Sequence, residues 1–285
     1  MSVQVRLSRV LSWAPAHWPE YLMETLGLGL FMVSACGFAT LLEHPASPAR
    51  HAIPDPSVRR VLMGLAMGLT AIALIYSPWG ARSGAHLNPS VSLAFWRLGR
   101  VPGRDAAAYA LAQFAGAAAG VALMAALLGP RLADPAVHYV VTRPGPPGPA
   151  AALAAEFAIS LVLMSVVLRI SERPRLMKYT GCFAGALVAL WIMLEAPISG
   201  MSMNPARSFG SAAVAGDWSA WWIYLVAPPL GMLGAAELYR VERRRAPLAG
   251  PRACAKLHHP ARVRCIFCGQ GMGRREREPL PAPGH

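Results

Sequence analysis

Six long stretches of this chain are almost free of charge, and they limit what it can fold into more than any other feature. Val61–Tyr76, Ala106–Gly129 and Tyr179–Leu194 carry no charged residue. Tyr21–Leu42, Ala151–Leu168 and Ala220–Leu238 carry one glutamate each. A helix of roughly 20 mainly apolar residues spans a bilayer. The runs predict six crossings, near 21–42, 60–78, 106–128, 151–170, 177–195 and 219–239. The rival reading is a large buried helical bundle in water. Soluble domains are about a quarter charged, and this chain is 14% charged and 55% hydrophobic.

The formal net charge is +13. Its placement points to a membrane and not to nucleic acid, because Lys and Arg collect on cytoplasmic loops. With the N-terminus inside, 21 of the 27 basic residues fall on inside segments. The chain is therefore expected to be a multi-pass protein of the cell membrane with both termini cytoplasmic. Arg59 and Arg60 run against the trend, at an expected outer edge. No cleavable leader is evident, since the first run holds Glu24 and lacks a small-residue cleavage site. Cys36 and Cys182 fall in expected crossings, which argues against a structural disulfide. The other three cysteines lie in the tail.

The runs repeat in threes. Glu24 opens the first crossing and Glu156 the fourth; Gly64-x-x-x-Gly68 marks the second and Gly181-x-x-x-Gly185 the fifth. "SGAHLNPSVS" follows the second and "SGMSMNPARSFGSA" the fifth. Small residues at this spacing let helices approach closely in lipid. Three is odd, so the second repeat enters from the opposite face, and sites in such folds sit at the midplane between repeats. The expected architecture is all-α, with six transmembrane helices plus two re-entrant half-helices in an inverted repeat of three crossings. Segment 1–20 precedes a channel-like domain over 21–240, with repeats at 21–128 and 151–239. A basic tail over 241–285 follows.

Asn before Pro is a strong helix start, with Asn as cap and Pro in the first turn. "NPSVSLAFWRL" and "NPARSFGSAAV" then continue for about two turns, too short to span. Irregular backbone at membrane depth is tolerated where it is buried or lines a wet cavity. Two half-helices dipping from opposite faces bring their positive ends together near the middle. There Asn88 and Asn204 can donate to a neutral solute, while cations and protons meet an unfavourable field.

In both signature loops the chain resembles the aquaporin/glycerol-facilitator family (major intrinsic proteins), over roughly residues 20–240. The resemblance implies one pore per subunit, usually in a homotetramer, and the pore motifs Asn88-Pro89-Ser90 and Asn204-Pro205-Ala206. Ser90 departs from the family's usual Ala and is small enough to keep the contact. The resemblance also implies a narrow outer filter containing Arg207. A charged side chain at membrane depth is costly and functional by default. By spacing, the other filter positions are Ile192, Met201 and either Met67 or Gly68. Water-selective members generally have His where Ile192 stands and an aromatic on the second helix. Ser208 and Ala212 resemble water channels, and Tyr224-Leu225 is mixed, so water and glycerol-like solutes both stay open. Glu24 and Glu156 match buried glutamates that hold the re-entrant loops, and His86 matches a structural histidine at the cytoplasmic mouth.

The tail reads "CAKLHHPARVRCIFCGQ". Cys254, His258, His259, Cys265 and Cys268 offer thiolate and imidazole ligands suited to zinc. A disordered basic tail is the alternative. A passive channel for water or small neutral solutes such as glycerol, excluding ions and protons, accounts for the loops, Arg207 and the repeat. It needs no cofactor for transport. A coupled secondary transporter would want midplane charges, and a membrane anchor for a metal-binding tail would leave the repeat unused. No nucleophile and base constellation suggests an enzyme.

Overall fold

The computed structural model describes residues 14–245, 254–258 and 265–268. Among these the chain is helical throughout, with no strand. The long helices are α1 (Ala14–Glu43), α2 (Pro56–Tyr76), α4 (Gly103–Leu128), α5 (Pro149–Ser171), α6 (Thr180–Leu194) and α8 (Trp221–Arg245). Two short ones lie between them, α3 (Pro89–Arg97) and α7 (Pro205–Ala215). These are the two half-helices the Asn-Pro segments predict.

Five of the long helices are long and apolar enough to cross a membrane by length and composition alone. The sixth, α8, falls short on that measure because Trp, Tyr, Gly and the pair Pro228-Pro229 dilute its apolar content and Arg243–Arg245 close it. Its packing supplies what its composition lacks. Helix α8 lies along α5 as α1 lies along α4, and α2 meets α6 across the repeats. Each half-helix packs on the last helix of the other repeat, α7 on α4 and α3 on α8. The two halves are thus interlocked.

Leu22, Leu26 and Leu30 stand exposed at four-residue spacing on α1, as do Leu65 and Leu69 on α2 and Leu123 and Leu127 on α4. Such leucine rows suit hydrocarbon rather than water. The polar buried groups lie inward instead. Arg59, which looked out of place in the sequence, is buried and grips Glu43 through Nε and Nη2 at 3.0–3.1 Å. Its Nη1 donates to the carbonyls of Ile53 and Pro54. Arg60 donates to Met193 O at 3.0 Å. Both arginines are therefore used to close the loop end of α2, which explains their departure from the charge trend. Between α7 and α8, the Ser219 hydroxyl and Arg143 from the linker between repeats hold the Asp217 carboxyl well below the usual carboxylate range.

The close approach of α2 and α6 depends on glycine. A Cβ on Gly68 would lie 2.6 Å from Gly185 O and 2.8 Å from Ala189 Cβ. A Cβ on Gly234 would meet only side-chain atoms at 3.5 Å and beyond. Gly68→Leu should therefore push the two repeats apart and remove the monodisperse peak in size-exclusion chromatography, while Gly234→Ala keeps it. Equal behaviour of the two variants would show that the α2–α6 seam is not tightly packed.

Candidate functional site

The two loops that lead into the half-helices repeat each other atom for atom. Each starts from a one-turn helix, Pro78–Ser83 or Ala196–Ser199, that ends on a left-handed glycine, Gly84 or Gly200. Two non-glycine residues then also take positive φ, Ala85 and Leu87 in one loop, Met201 and Met203 in the other. Left-handed backbone costs a residue with a Cβ on the order of 1–2 kcal/mol. Something must hold it.

The holders are the two buried glutamates. Glu24 accepts from Ser83 Oγ at 2.7 Å and from the backbone N–H of His86 at 3.1 Å and Leu87 at 2.6 Å. Gln113 Nε2 adds a fourth bond at 2.8 Å. Glu156 accepts from Ser199 Oγ at 2.7 Å and from the N–H of Ser202 at 2.6 Å and Met203 at 2.7 Å. The carbonyl of Ser83 takes the Tyr109 hydroxyl and that of Ser199 takes the Tyr224 hydroxyl. Apart from the Gln113 bond, each of these bonds in one repeat has its counterpart in the other. Tyr109 and Gln113 carried no signal in the sequence, since each is an isolated polar residue on an apolar helix.

The loops deliver Asn88 and Asn204 to the N-termini of α3 and α7. Asn88 Oδ1 accepts from Ser90 N at 2.8 Å; Asn204 Oδ1 accepts from Ala206 N at 3.1 Å and Arg207 N at 3.2 Å. The carboxamide nitrogens cross over. Asn88 Nδ2 donates to Met203 O at 2.6 Å and Asn204 Nδ2 donates to Leu87 O at 2.7 Å. Each amide therefore ties its own helix to the opposite loop and keeps one N–H the described protein does not use. Pro89 and Pro205 sit in the first turns, and Ala206 is fully buried as is Ser90.

Both asparagines line one cavity of about 420 Å³ that threads between the repeats. Its wall is mostly apolar. Met67, Ile192, Met201 and Arg207 all line it, whereas Gly68 faces α6. Of these two positions Met67 is the one in the cavity wall, and its sulfur accepts a long contact from Ser34 Oγ at 4.0 Å. Arg207 Nη1 is buried and has no hydrogen-bond partner among the described residues. A buried donor without a partner is expensive, so a guanidinium in a cavity wall is a standing invitation to an acceptor. Phe31, Met63 and Val188 also line the cavity and were missed in the sequence, where they read as ordinary helix packing.

At the far end His86 is buried, with Nδ1 at 2.9 Å from Ser92 Oγ. Its Nε2 lies 2.8 Å from the carbonyl of Ala255, a tail residue. The sequence draws the pore wholly upstream of the tail. The structure instead brings Leu257 into the cavity wall, because backbone and side-chain bonds to residues 81–86 hold the tail there. Among the expected metal ligands, the Sγ atoms of Cys254, Cys265 and Cys268 lie within 4.8 Å of one another. His258 stands edge-on to Tyr76 with ring centroids 4.7 Å apart, and His259 lies outside the described residues.

The consequence of Glu156→Gln follows from this geometry. Glutamine keeps one acceptor oxygen, so its NH2 leaves either Ser202 N or Met203 N without a partner, and an unmade buried bond costs about 1–3 kcal/mol. The variant should melt lower in detergent than the wild type, while Ser165→Ala, whose backbone carbonyl alone is used, should not. An unchanged melting temperature for Glu156→Gln would show that the carboxylate does not hold the loop.

Residues 12–239 match the family described as Major intrinsic protein. Aquaporin NIP1-3 of Oryza sativa subsp. japonica is 40% identical over 177 residues, 62% of this chain and 60% of that protein. Aquaporin NIP1-4 of the same organism is 35% identical over 224 residues, 78% of this chain and 76% of that protein. Among solved structures, the aquaglyceroporin from Plasmodium falciparum aligns with a TM-score of 0.63 at 21% identity, over 79% of this chain and 96% of that one, a likeness of fold. Two capped Asn-Pro half-helices, interlocked in an inverted repeat, and a family match across nearly all the helical region lead to one conclusion: the chain belongs to the major intrinsic protein family.

Proposed function

We propose that the protein is a passive membrane channel for water and small neutral solutes, and that it excludes ions and protons. The observation that carries this reading is the pair of asparagines. They meet from opposite repeats in one cavity, each with an amide hydrogen free for a passing oxygen. The N-terminal ends of α3 and α7 add positive partial charge at the same place. A hydrogen-bonding neutral molecule is stabilised there, and a cation is not. Such channels are not enzymes and need no cofactor for transport.

A coupled transporter would need ionisable groups free to bind an ion. Glu24 and Glu156 are committed to holding backbone, which removes the two midplane candidates. Arg207, Met67, Ile192 and Met201 form the filter in this reading. It offers one cationic donor and apolar walls, without an imidazole. Water passes, and discrimination against small polyols is weaker than in a filter with a second polar donor. The channel domain occupies 21–240 in the cell membrane, as a homotetramer packed through part of its exposed leucine face. Both termini are cytoplasmic, and the tail cysteines bind zinc.

Solute flux and membrane current in proteoliposomes test the pore. Ile192→His should raise the ratio of water to glycerol flux severalfold, since it adds a donor and removes apolar width. Arg207→Val should weaken exclusion of cations, because the fixed positive charge at the constriction is lost. Saturable, ion-driven flux in the wild type would end the channel reading. Topology is tested by single cysteines at Pro146 and Gly284 in a chain freed of its native cysteines. A membrane-impermeant thiol reagent should label them from opposite sides, and labelling from the same side would overturn the orientation.

A further inference from the structure

Residues 254–258 do not hang away from the channel. Ala255, Lys256 and Leu257 are buried. Leu257 N donates to Gly84 O at 3.1 Å, Lys256 Nζ donates to Ala81 O at 2.8 Å, and His86 Nε2 meets Ala255 O at 2.8 Å. The Lys256 ammonium thus sits at the carbonyl end of the one-turn helix Pro78–Ser83, where a cation is favoured. Gly84 is left-handed, and a Cβ there would come within 3.0 Å of Lys256 Cγ and 3.1 Å of Ala255 O. Its bare backbone is what lets the tail lie so close. The Leu257 side chain lines the cavity itself.

The second half of the tail clamps the first. Phe267 stacks on His86 at 5.8 Å between centroids and meets Tyr109 at 5.9 Å. Between the two halves the three thiols converge, with Cys254 Sγ 3.2 Å from Cys265 Sγ and Cys268 Sγ within 4.8 Å of both. None of the three is joined in a disulfide among the described residues. Two protein segments held at one pore mouth by sulfur atoms at ligand spacing make a latch.

We propose that Cys254, Cys265 and Cys268 form a zinc site whose occupation pins Leu257 in the mouth of the pore, so that zinc binding closes the channel. The inference rests on the channel reading and on the tail zinc of the preceding section. It adds where the metal acts and what it controls. Zinc suits the site because three thiolates fill three corners of its tetrahedron, with the fourth left to a water or a neighbouring imidazole. Each thiol loses its proton to solvent as sulfur binds, so the reaction releases protons and involves no change of oxidation state. Without metal the plug is held by contacts such as three hydrogen bonds, the stacking of Phe267 and the edge contact of His258 on Tyr76. Hydrogen bonds of this kind each add little net stability, so the plug can release them. With metal, both segments must leave together or not at all.

The test uses the full chain in proteoliposomes under a phosphine reductant, with zinc measured by elemental analysis and water flux by stopped-flow shrinkage. The wild type should hold one zinc per chain. Stripping it with a chelator should raise water flux severalfold, and returning zinc should lower it again. Cys265→Ser/Cys268→Ser should hold no zinc and conduct at the stripped level whether or not zinc is added. Leu257→Gly should still bind zinc yet stay conductive, which separates the plug from the latch. Zinc bound with no change in wild-type flux would overturn the gate, and no bound zinc would overturn the site. Closure by a thiol oxidant alone would also overturn it, in favour of a disulfide. Absence of water flux in every variant, stripped or not, would instead overturn the channel reading on which the gate rests.

Discussion

The whole arrangement hangs on two carboxylates that accept backbone N–H groups. Glu24 and Glu156 are fully buried, where an ionised group without partners would be very costly. Each answers that cost by taking three donors from its re-entrant loop, and Glu24 takes a fourth from Gln113 on α4. The loops in turn hold four residues with a Cβ in left-handed backbone. Strain of this size, about 1–3 kcal/mol per residue, persists only where the surroundings over-determine it. The carboxylates, the paired serines Ser83 and Ser199, and the tyrosines Tyr109 and Tyr224 do so. Remove the carboxylates and the asparagines lose their address, because each Asn is placed by the loop that precedes it.

That dependence explains why the asparagines are joined to opposite loops. Asn88 reaches Met203 O and Asn204 reaches Leu87 O. Met203 and Leu87 are the residues whose N–H groups the glutamates hold. A single chain of bonds therefore runs from Glu24 through Leu87 to Asn204, and another from Glu156 through Met203 to Asn88. The two repeats are fixed against each other at the one point where a solute meets both. Rigid placement of the donors is what a selective site requires, since a loose amide would solvate any small ion that arrived.

Much of this could be read from the sequence, and the reasons are local. Apolar runs of spanning length gave the helices, and Asn-Pro gave the half-helix starts, because both signals sit within a few residues of what they specify. Glu24 and Glu156 were visible as lone charges in apolar runs. The left-handed residues were not. Ala85, Leu87, Met201 and Met203 have no preference for that region, and only the distant carboxylates impose it. Phe31, Met63 and Val188 read as packing because the wall of a narrow apolar cavity is chemically the same as a helix interface. The position of the tail was hidden for the same reason. Every contact of Ala255, Lys256 and Leu257 quoted above is with residues 81–86, far back in the chain.

The inverted repeat itself accounts for why the tail has somewhere to lie. Repeating a loop twice makes two equivalent perches, each a left-handed glycine beside the carbonyl end of a one-turn helix. At one mouth the linker between the repeats takes the perch. Gly145 N donates to Ile198 O at 2.8 Å, and a Cβ on Gly200 would meet Arg143 N at 3.0 Å. At the other mouth the tail takes the perch. Ala255–Leu257 lies in that place, with Leu257 N on Gly84 O. The two occupants differ in one respect that matters. Thr142, Arg143 and Gly145 stand outside the cavity wall, whereas Leu257 forms part of it. The linker is bound at both ends to spanning helices and cannot leave. Ala255–Leu257 belongs to no spanning helix, and what is described of its hold on the mouth is the contacts made there. That is the physical condition for a movable part, and the three converging thiols lie where such a part would need a catch.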